Sequence, residues 1–263
     1  MKLRSVLLYT FATAFIFTSC SSGDDDKFSI SEKNLTLHFE ETEQLSATAT
    51  ADWKSENDFV AKVNSNGLVE GNHVGKTNII ATSTDGSAKC EVEVVPVYST
   101  YKEPFLEFGA SKATVKSKET RKLYNENSEI ITYEGENSNV KLVGYNFDDN
   151  GKLSGVAVAV SFASTSEVTK FLLERYQPVT EEDGVYVFIN NNINDYTMFV
   201  TLSVESSYIG IVYLPKSSKS RSAEIENYQT ELKSMLEDAL KSKNHNWHQF
   251  LTPVHYSKSR LVS

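Results

Sequence analysis

The chain of 263 residues has only two cysteines, Cys20 and Cys90, so it can build neither a disulfide scaffold nor a four-cysteine zinc site. It is short of basic charge: 26 Lys+Arg stand against 35 Asp+Glu, a net charge of −9. That balance argues against nucleic acid as a partner, because a phosphate-binding face needs a surplus of Lys and Arg. No Gly-x-Ser-x-Gly elbow and no His-Glu-x-x-His helix occurs, which removes two common hydrolase arrangements. What the chain does have is apolar content of 40% with 11% aromatic, enough to bury a core and to rule out global disorder.

The first residues read as an address. Lys2 and Arg4 precede an apolar run, Val6 to Phe17, that falls short of the roughly 20 residues needed to span a bilayer. Phe17-Thr18-Ser19-Cys20 resembles a bacterial lipobox, with Phe17 in place of the usual Leu. The resemblance implies a signal peptide over 1–19, cleavage before Cys20 and acylation of Cys20. Losing Lys2 and Arg4 would take the charge from −9 to −11. The polar, acidic Ser21 to Asp26 is expected to be a tether, 20–27, extended by like-charge repulsion. It also resembles the acidic signal that sends some lipoproteins to the outer face of the outer membrane.

From Phe28 to Val97 short alternating runs are separated by turn residues: Leu35-Leu37-Phe39, Leu45-Ala47-Ala49, Ile79-Ala81 and Cys90-Val92-Val94. Several strands within some 70 residues predict a small β-sandwich. Cys90 alternates with charged residues and faces inward with Val92 and Val94, so it is read as core. Trp53, Ser55, Asn57, Val60, Ala61 and Val63, followed by Asn66-Gly67-Leu68-Val69, Gly71 and Gly75, resemble the bacterial immunoglobulin-like domain of group 2. The resemblance implies an all-β sandwich with Trp53 at its centre, used as a spacer or recognition unit on cell envelopes, and no catalytic residues. Gly71 to Thr77 comes one residue short of a phosphate-cradling loop. Here, however, it leads into a strand, where that chemistry needs a helix N-terminus.

Ser99 to Glu103 is read as a polar connection, and Pro104 opens a second module. An offset of 53 residues aligns Ala110-Ser111-x-x-x-Val115 with Ala163-Ser164-x-x-x-Val168, Tyr133 with Tyr186, and Ser154–Val158 with Ser207–Ile211. Residues 101–215 are therefore expected to form an α+β domain of two α-β-β-β repeats with an antiparallel sheet. Its helices are predicted over 111–123, capped by Ser111, and 164–176, with Ser164 and Glu167 as a capping box. Strands are predicted over 129–134, 140–147, 153–162, 184–190, 195–204 and 207–214, each with one apolar face. Asp149-Asn150-Gly151-Lys152 predicts a hairpin tip.

The remainder, 216–263, comprises a linker, a helix over 222–242 and a tail. Ile225, Tyr228, Leu232, Met235, Leu236, Ala239 and Leu240 form one stripe, expected to dock on its own domain in preference to a partner. His245, His248 and His255 lie close together, but no Asp, Glu or Cys follows His245, so no metal and no cofactor is expected. The acidic pairs Glu181-Glu182 and Glu134/Glu136 could serve a glycosidase only if they faced each other across a cleft.

The chain is thus expected to be a multidomain lipoprotein anchored in the cell outer membrane through Cys20 and facing the exterior. Its role would be non-catalytic binding or adhesion toward an unidentified protein or glycan. The alternatives are a periplasm-facing inhibitor or chaperone and, third, a glycan-acting hydrolase. Recognition is expected on the polar tips 148–152 and 190–195, with Asn190, Asn192 and Asp195, or on sheet residues left uncovered, Phe199 and Tyr208.

Overall fold

A computed structural model describes residues 27–182, 184–204 and 208–216. Cys20, the signal and most of the tether, the stripe of 222–242 and the tail histidines lie outside these residues.

The first described segment is a two-sheet sandwich. β1 (Asn34–Leu37), β3 (Asp52–Ser55), β6 (Gly75–Ser83) and β7 (Gly86–Val94) form one sheet in the order β1-β7-β6-β3. β2 (Thr42–Gln44), β4 (Ala61–Val63) and β5 (Leu68–Gly71) form the other, ordered β2-β5-β4. The alternating residues meet between the sheets: Leu37, Leu45, Val69, Ile79, Cys90 and Val92 make one buried cluster. Cys90 is fully buried, and that burial pushes its thiol up to about 11, which suits an inert core residue. Two glycines are required sterically. Gly67 has φ 82°, and a Cβ there would lie 2.5 Å from the Leu45 carbonyl oxygen; at Gly71 it would lie 2.4 Å from that of His38. The phosphate-loop look-alike joins β5 to β6 with no helix between them, and its His73 is stacked on Phe59 with ring centroids 4.0 Å apart.

Trp53 departs from expectation. It lies on edge strand β3 opposite Ala81, half-buried against the cluster, while aliphatic residues together with Phe59 and Cys90 make up the buried centre. Trp53→Ala should therefore cost about 2 kcal/mol, below the roughly 3–5 kcal/mol of a fully buried aromatic. Chemical denaturation would measure it, and a loss above about 4 kcal/mol would restore Trp53 to the centre.

The second segment is built on one antiparallel sheet of eight strands. Helix α1 (Lys112–Lys118) precedes β8 (Leu123–Glu126), β9 (Ile130–Glu134), β10 (Val140–Phe147) and β11 (Leu153–Val160). A 3-10 turn and α2 (Thr165–Leu173) precede β12 (Gln177–Glu182), β13 (Val185–Ile189), β14 (Met198–Val204) and β15 (Ile209–Pro215). The sheet order is β12-β13-β14-β15-β11-β10-β9-β8, so each half runs inward and the two last strands pair at the centre. Val115 of α1 and Val168, Phe171 and Leu172 of α2 pack on one sheet face, against Val143, Val156, Val158, Val200 and Ile211.

Several expectations need correction. Each half has four strands, not three. β8 and β12 escape the alternation pattern because they are edge strands, one exposed and charged, the other carrying Pro178, which an edge tolerates. Helix 111–123 stops at Lys118, because the Glu119 carboxylate accepts the amides of Thr120 (2.7 Å) and Arg121 (2.9 Å) and turns the chain away. Ser111 does cap α1, accepting the Thr114 amide at 3.1 Å. Ser164 makes no cap bond: it is buried in the 3-10 turn, and the helix spans Thr165–Leu173. The central strands have two buried faces, not one, since Ala157 and Ala159 are as buried as Val156 and Val158. Finally, the polar connection is core. Thr100 and Tyr101 are buried, and Tyr98, Phe105, Leu106 and Phe108 pack on the helical face.

Candidate functional site: one rim of turns

The strand register collects three turns at one end of the eight-stranded sheet. Asn146 pairs with Ile130, Phe147 with Leu153, Ile189 with Phe199 and Met198 with Pro215. The turns 127–129, 148–152 and 190–197 therefore open from the same rim, beside the chain exit at Lys216. Each is pinned by one short polar side chain. Asn127 Oδ1 accepts the amides of Glu129 (2.9 Å) and Ile130 (2.8 Å). Asp148 Oδ1 accepts those of Asn150 (3.0 Å) and Lys152 (2.8 Å), with Gly151 at φ 69° completing the tip. Asn190 Oδ1 accepts those of Thr197 (2.9 Å) and Met198 (3.0 Å). Asn and Asp side chains are short enough to imitate a backbone acceptor, so these loops are held rigid by their own residues.

The expected binding residues divide on this geometry. Asn190 is spent on its own turn. Asn192 and Asp195 are exposed at the tip, where the Asn192 carbonyl accepts the amides of Asp195 (2.9 Å) and Tyr196 (3.0 Å). Phe199 is half-buried beside them, edge-on to Tyr196 with centroids 4.9 Å apart. Tyr208 is a correction: it is 2% exposed and precedes β15 at the opposite rim, so it offers no open surface. Two features of the tip were not anticipated: Ile193, a hydrophobic residue 55% exposed at the apex, and the Lys216 ammonium 4.0 Å over the Tyr196 ring. An apolar residue within the polar run Asn190–Asp195 was the available signal.

The opposite rim is closed by a buried polar network. Arg121, its side chain 2% exposed, donates to Glu119 at 2.8 Å, to Glu136 at 2.6 Å and to the Lys102 carbonyl. Tyr145 donates to Glu119 at 2.5 Å. Burial alone would push the Glu119 carboxyl up, but the hydrogen bonds from Tyr145 and the Arg121 backbone, with the guanidinium charge, hold it below the usual range. Glu136 is lowered against its burial in the same way, mainly by the Arg121 side chain. Glu134 pairs instead with Lys122 at 3.3 Å, so the Glu134/Glu136 carboxylates are divided between separate cations.

A second buried carboxylate joins the two segments. Glu174 is fully buried after α2, where it accepts the amides of Val97 (2.9 Å) and Tyr98 (3.0 Å) and pairs with Arg175. Its backbone carbonyl accepts the Val74 amide from the β5–β6 loop at 2.7 Å.

These strands and their glycine-dependent turns agree with the family comparison. Residues 26–94 match the bacterial Ig-like domain (group 2). The match ends with β7, so it covers the Ig-like sandwich and none of the eight-stranded sheet. No curated protein matches the sequence. Among solved structures, an intimin mutant of EHEC O157:H7 is similar at 16% identity and a TM-score of 0.25, covering 71% of this chain and 98% of that one. Domains 5–6 of the S-layer protein SbsC are similar at 15% identity and a TM-score of 0.23, covering 74% and 86%. Likenesses this distant leave the architecture to be read from the chain's own strands.

Proposed function

We propose that this protein is a non-catalytic, lipid-anchored binding or adhesion protein at the cell surface. The Ig-like module, 28–97, would stand between the anchor and a recognition domain, 101–215, duplicated from one α-β-β-β-β unit. Support for the duplication comes from the positions aligned at the 53-residue offset. Ser111 and Ser164 each precede a helix, and Val115 and Val168 are each fully buried. The observation that carries the recognition role is the rim: three self-pinned turns on a rigid sheet, with Ile193 offered to solvent among polar neighbours. Loops held by a scaffold are common recognition positions, and preset turns lower the entropy lost on binding.

The test uses the whole chain in three forms: unaltered, Ile193→Asp and Cys20→Ala. Cys20→Ala should abolish lipid labelling. Protease shaving of intact cells should cleave the unaltered protein; protection would favour the periplasm-facing alternative. Ile193→Asp should keep its melting temperature yet weaken binding, across a panel of host glycans and matrix proteins, by at least about tenfold, as removal of an interface anchor does. Unchanged binding by Ile193→Asp would remove the rim from the proposal.

A further inference from the structure

The eight-stranded sheet has a second face, turned away from α1 and α2. Register places Leu142, Ala157, Ala159, Val212 and Leu214 on it, opposite in parity to Val143, Val156, Val158, Ile211 and Tyr213. Leu142, Ala157 and Ala159 have no exposed surface, and Leu214 has 3%. Among the described residues, this cluster draws on strands of the sheet and on Tyr208 beside β15, with Tyr124 of β8 packed against it; none of them comes from α1, α2 or the Ig-like module. A sheet cannot hide its own central side chains, because they stand perpendicular to it and need a second layer above them. The described residues supply no such layer.

The chain leaves the sheet at Lys216, immediately after central strand β15, and continues through Ser217–Ser222 to the stripe of 222–242. We propose that residues 222–242 form a helix whose apolar stripe lies across this second face, making a three-layer domain of helices, sheet and helix. The dimensions agree. Twenty-one residues at about 1.5 Å each give about 31 Å, against about 34 Å for eight strands spaced about 4.8 Å apart. The bed is also shaped for it: Gly144, Gly155, Ala157, Ala159 and Gly210 put small residues at the centre of this face, so a helix can approach the strands closely. The occupant is thus a segment of the same chain, attached by a short polar linker. The inference is independent of the recognition reading, but it confines any recognition to the rims and edges.

The experiment uses residues 21–263 carrying Val212→Cys as a probe on this face, since Cys90 is itself buried. Val212→Cys should react with a maleimide at least about tenfold more slowly than a surface cysteine, because labelling must wait for local opening. Adding Leu232→Asp and Leu236→Asp should abolish that protection, whereas Ser234→Asp, on the far side of the stripe, should leave it intact. Circular dichroism and a cooperative melt confirm that each variant is folded. Protection that survives Leu232→Asp/Leu236→Asp, or fast labelling of the parent, overturns the proposal. Protection that falls on dilution together with a dimeric mass in light scattering also overturns it, in favour of a second copy as the cover.

Discussion

Arg121→Ala is expected to destabilise the eight-stranded sheet and its helices by about 3–5 kcal/mol, the usual result of removing one partner from a buried ion network. The arginine is almost wholly buried between Glu119 and Glu136, and it also satisfies the Lys102 carbonyl. Its removal leaves two carboxylates facing each other in a poorly solvated site, and at neutral pH they cannot both stay charged at low cost. The pH profile distinguishes this cause from simple loss of packing. Glu119 and Glu136 are held below their ordinary range in the folded protein, so their contribution is fully present above the unfolded value near 4.5. It is lost as pH falls through the lower folded values. The native protein should therefore weaken on acidification below about pH 4.5, whereas Arg121→Ala, its carboxylates pushed up by burial and mutual repulsion, should gain stability as pH falls from 7 toward 4.5. Urea melts at pH 7 and pH 4 measure both effects. A variant that loses under about 1 kcal/mol at pH 7 would show the network to be solvated and dispensable.

Glu174→Ala should have a comparable effect and a different signature. The carboxylate is fully buried and accepts two amides where the Ig-like module ends, and it also pairs with Arg175. Without it the Val97 and Tyr98 amides lose their acceptors, and of its two carboxylate partners Arg175 keeps the more distant Glu103, at 3.8 Å. A loss of about 3 kcal/mol is expected from the junction, chiefly because the largely buried Arg175 guanidinium loses its nearest counter-charge. The two segments should then melt in separate steps, and small-angle scattering should broaden as the join becomes a hinge. Glu174→Gln, which retains one acceptor, should lie between the two. A single unshifted transition for Glu174→Ala would mean that the segments are held together by something else.

What the sequence revealed depended on whether local pattern and packing agreed. β10 was legible over its full span, Val140–Phe147, because a buried central strand is a nearly continuous apolar run ended by the turn residues Asp148 to Gly151. β8 and β12 were hidden because edge strands need no such run. Lys122 just before β8 and Glu126 at its end resemble a helix surface, and Pro178 in β12 reads as a break. Trp53 was misplaced because the family resemblance and a large ring both suggest a centre, but in this sandwich smaller aliphatic residues and Phe59 make the buried cluster and the ring flanks it. In the candidate site, the tips at 148–152 and 190–195 were legible from their turn residues, while the roles inside them were not. Asn190 carries the same chemistry whether it meets a ligand or its own backbone, and only the register decides between them. Tyr208 failed for a related reason, since alternation gives a residue's face but not what lies over it.

The direction of one strand sets how the Ig-like module would respond to tension. β1 runs parallel to β7, with Asn34 opposite Glu91 and Leu37 opposite Val94, while the chain enters at the start of β1 and leaves at the end of β7. If the protein is tethered at its N-terminal side and pulled from its second domain, the two ends draw these strands past each other along their length. All four registered pairs then bear load together, whereas the antiparallel β6–β7 hairpin, pulled open from its free ends, would unzip rung by rung. The short first strand would act as a shear clamp, suiting the module to carry mechanical load.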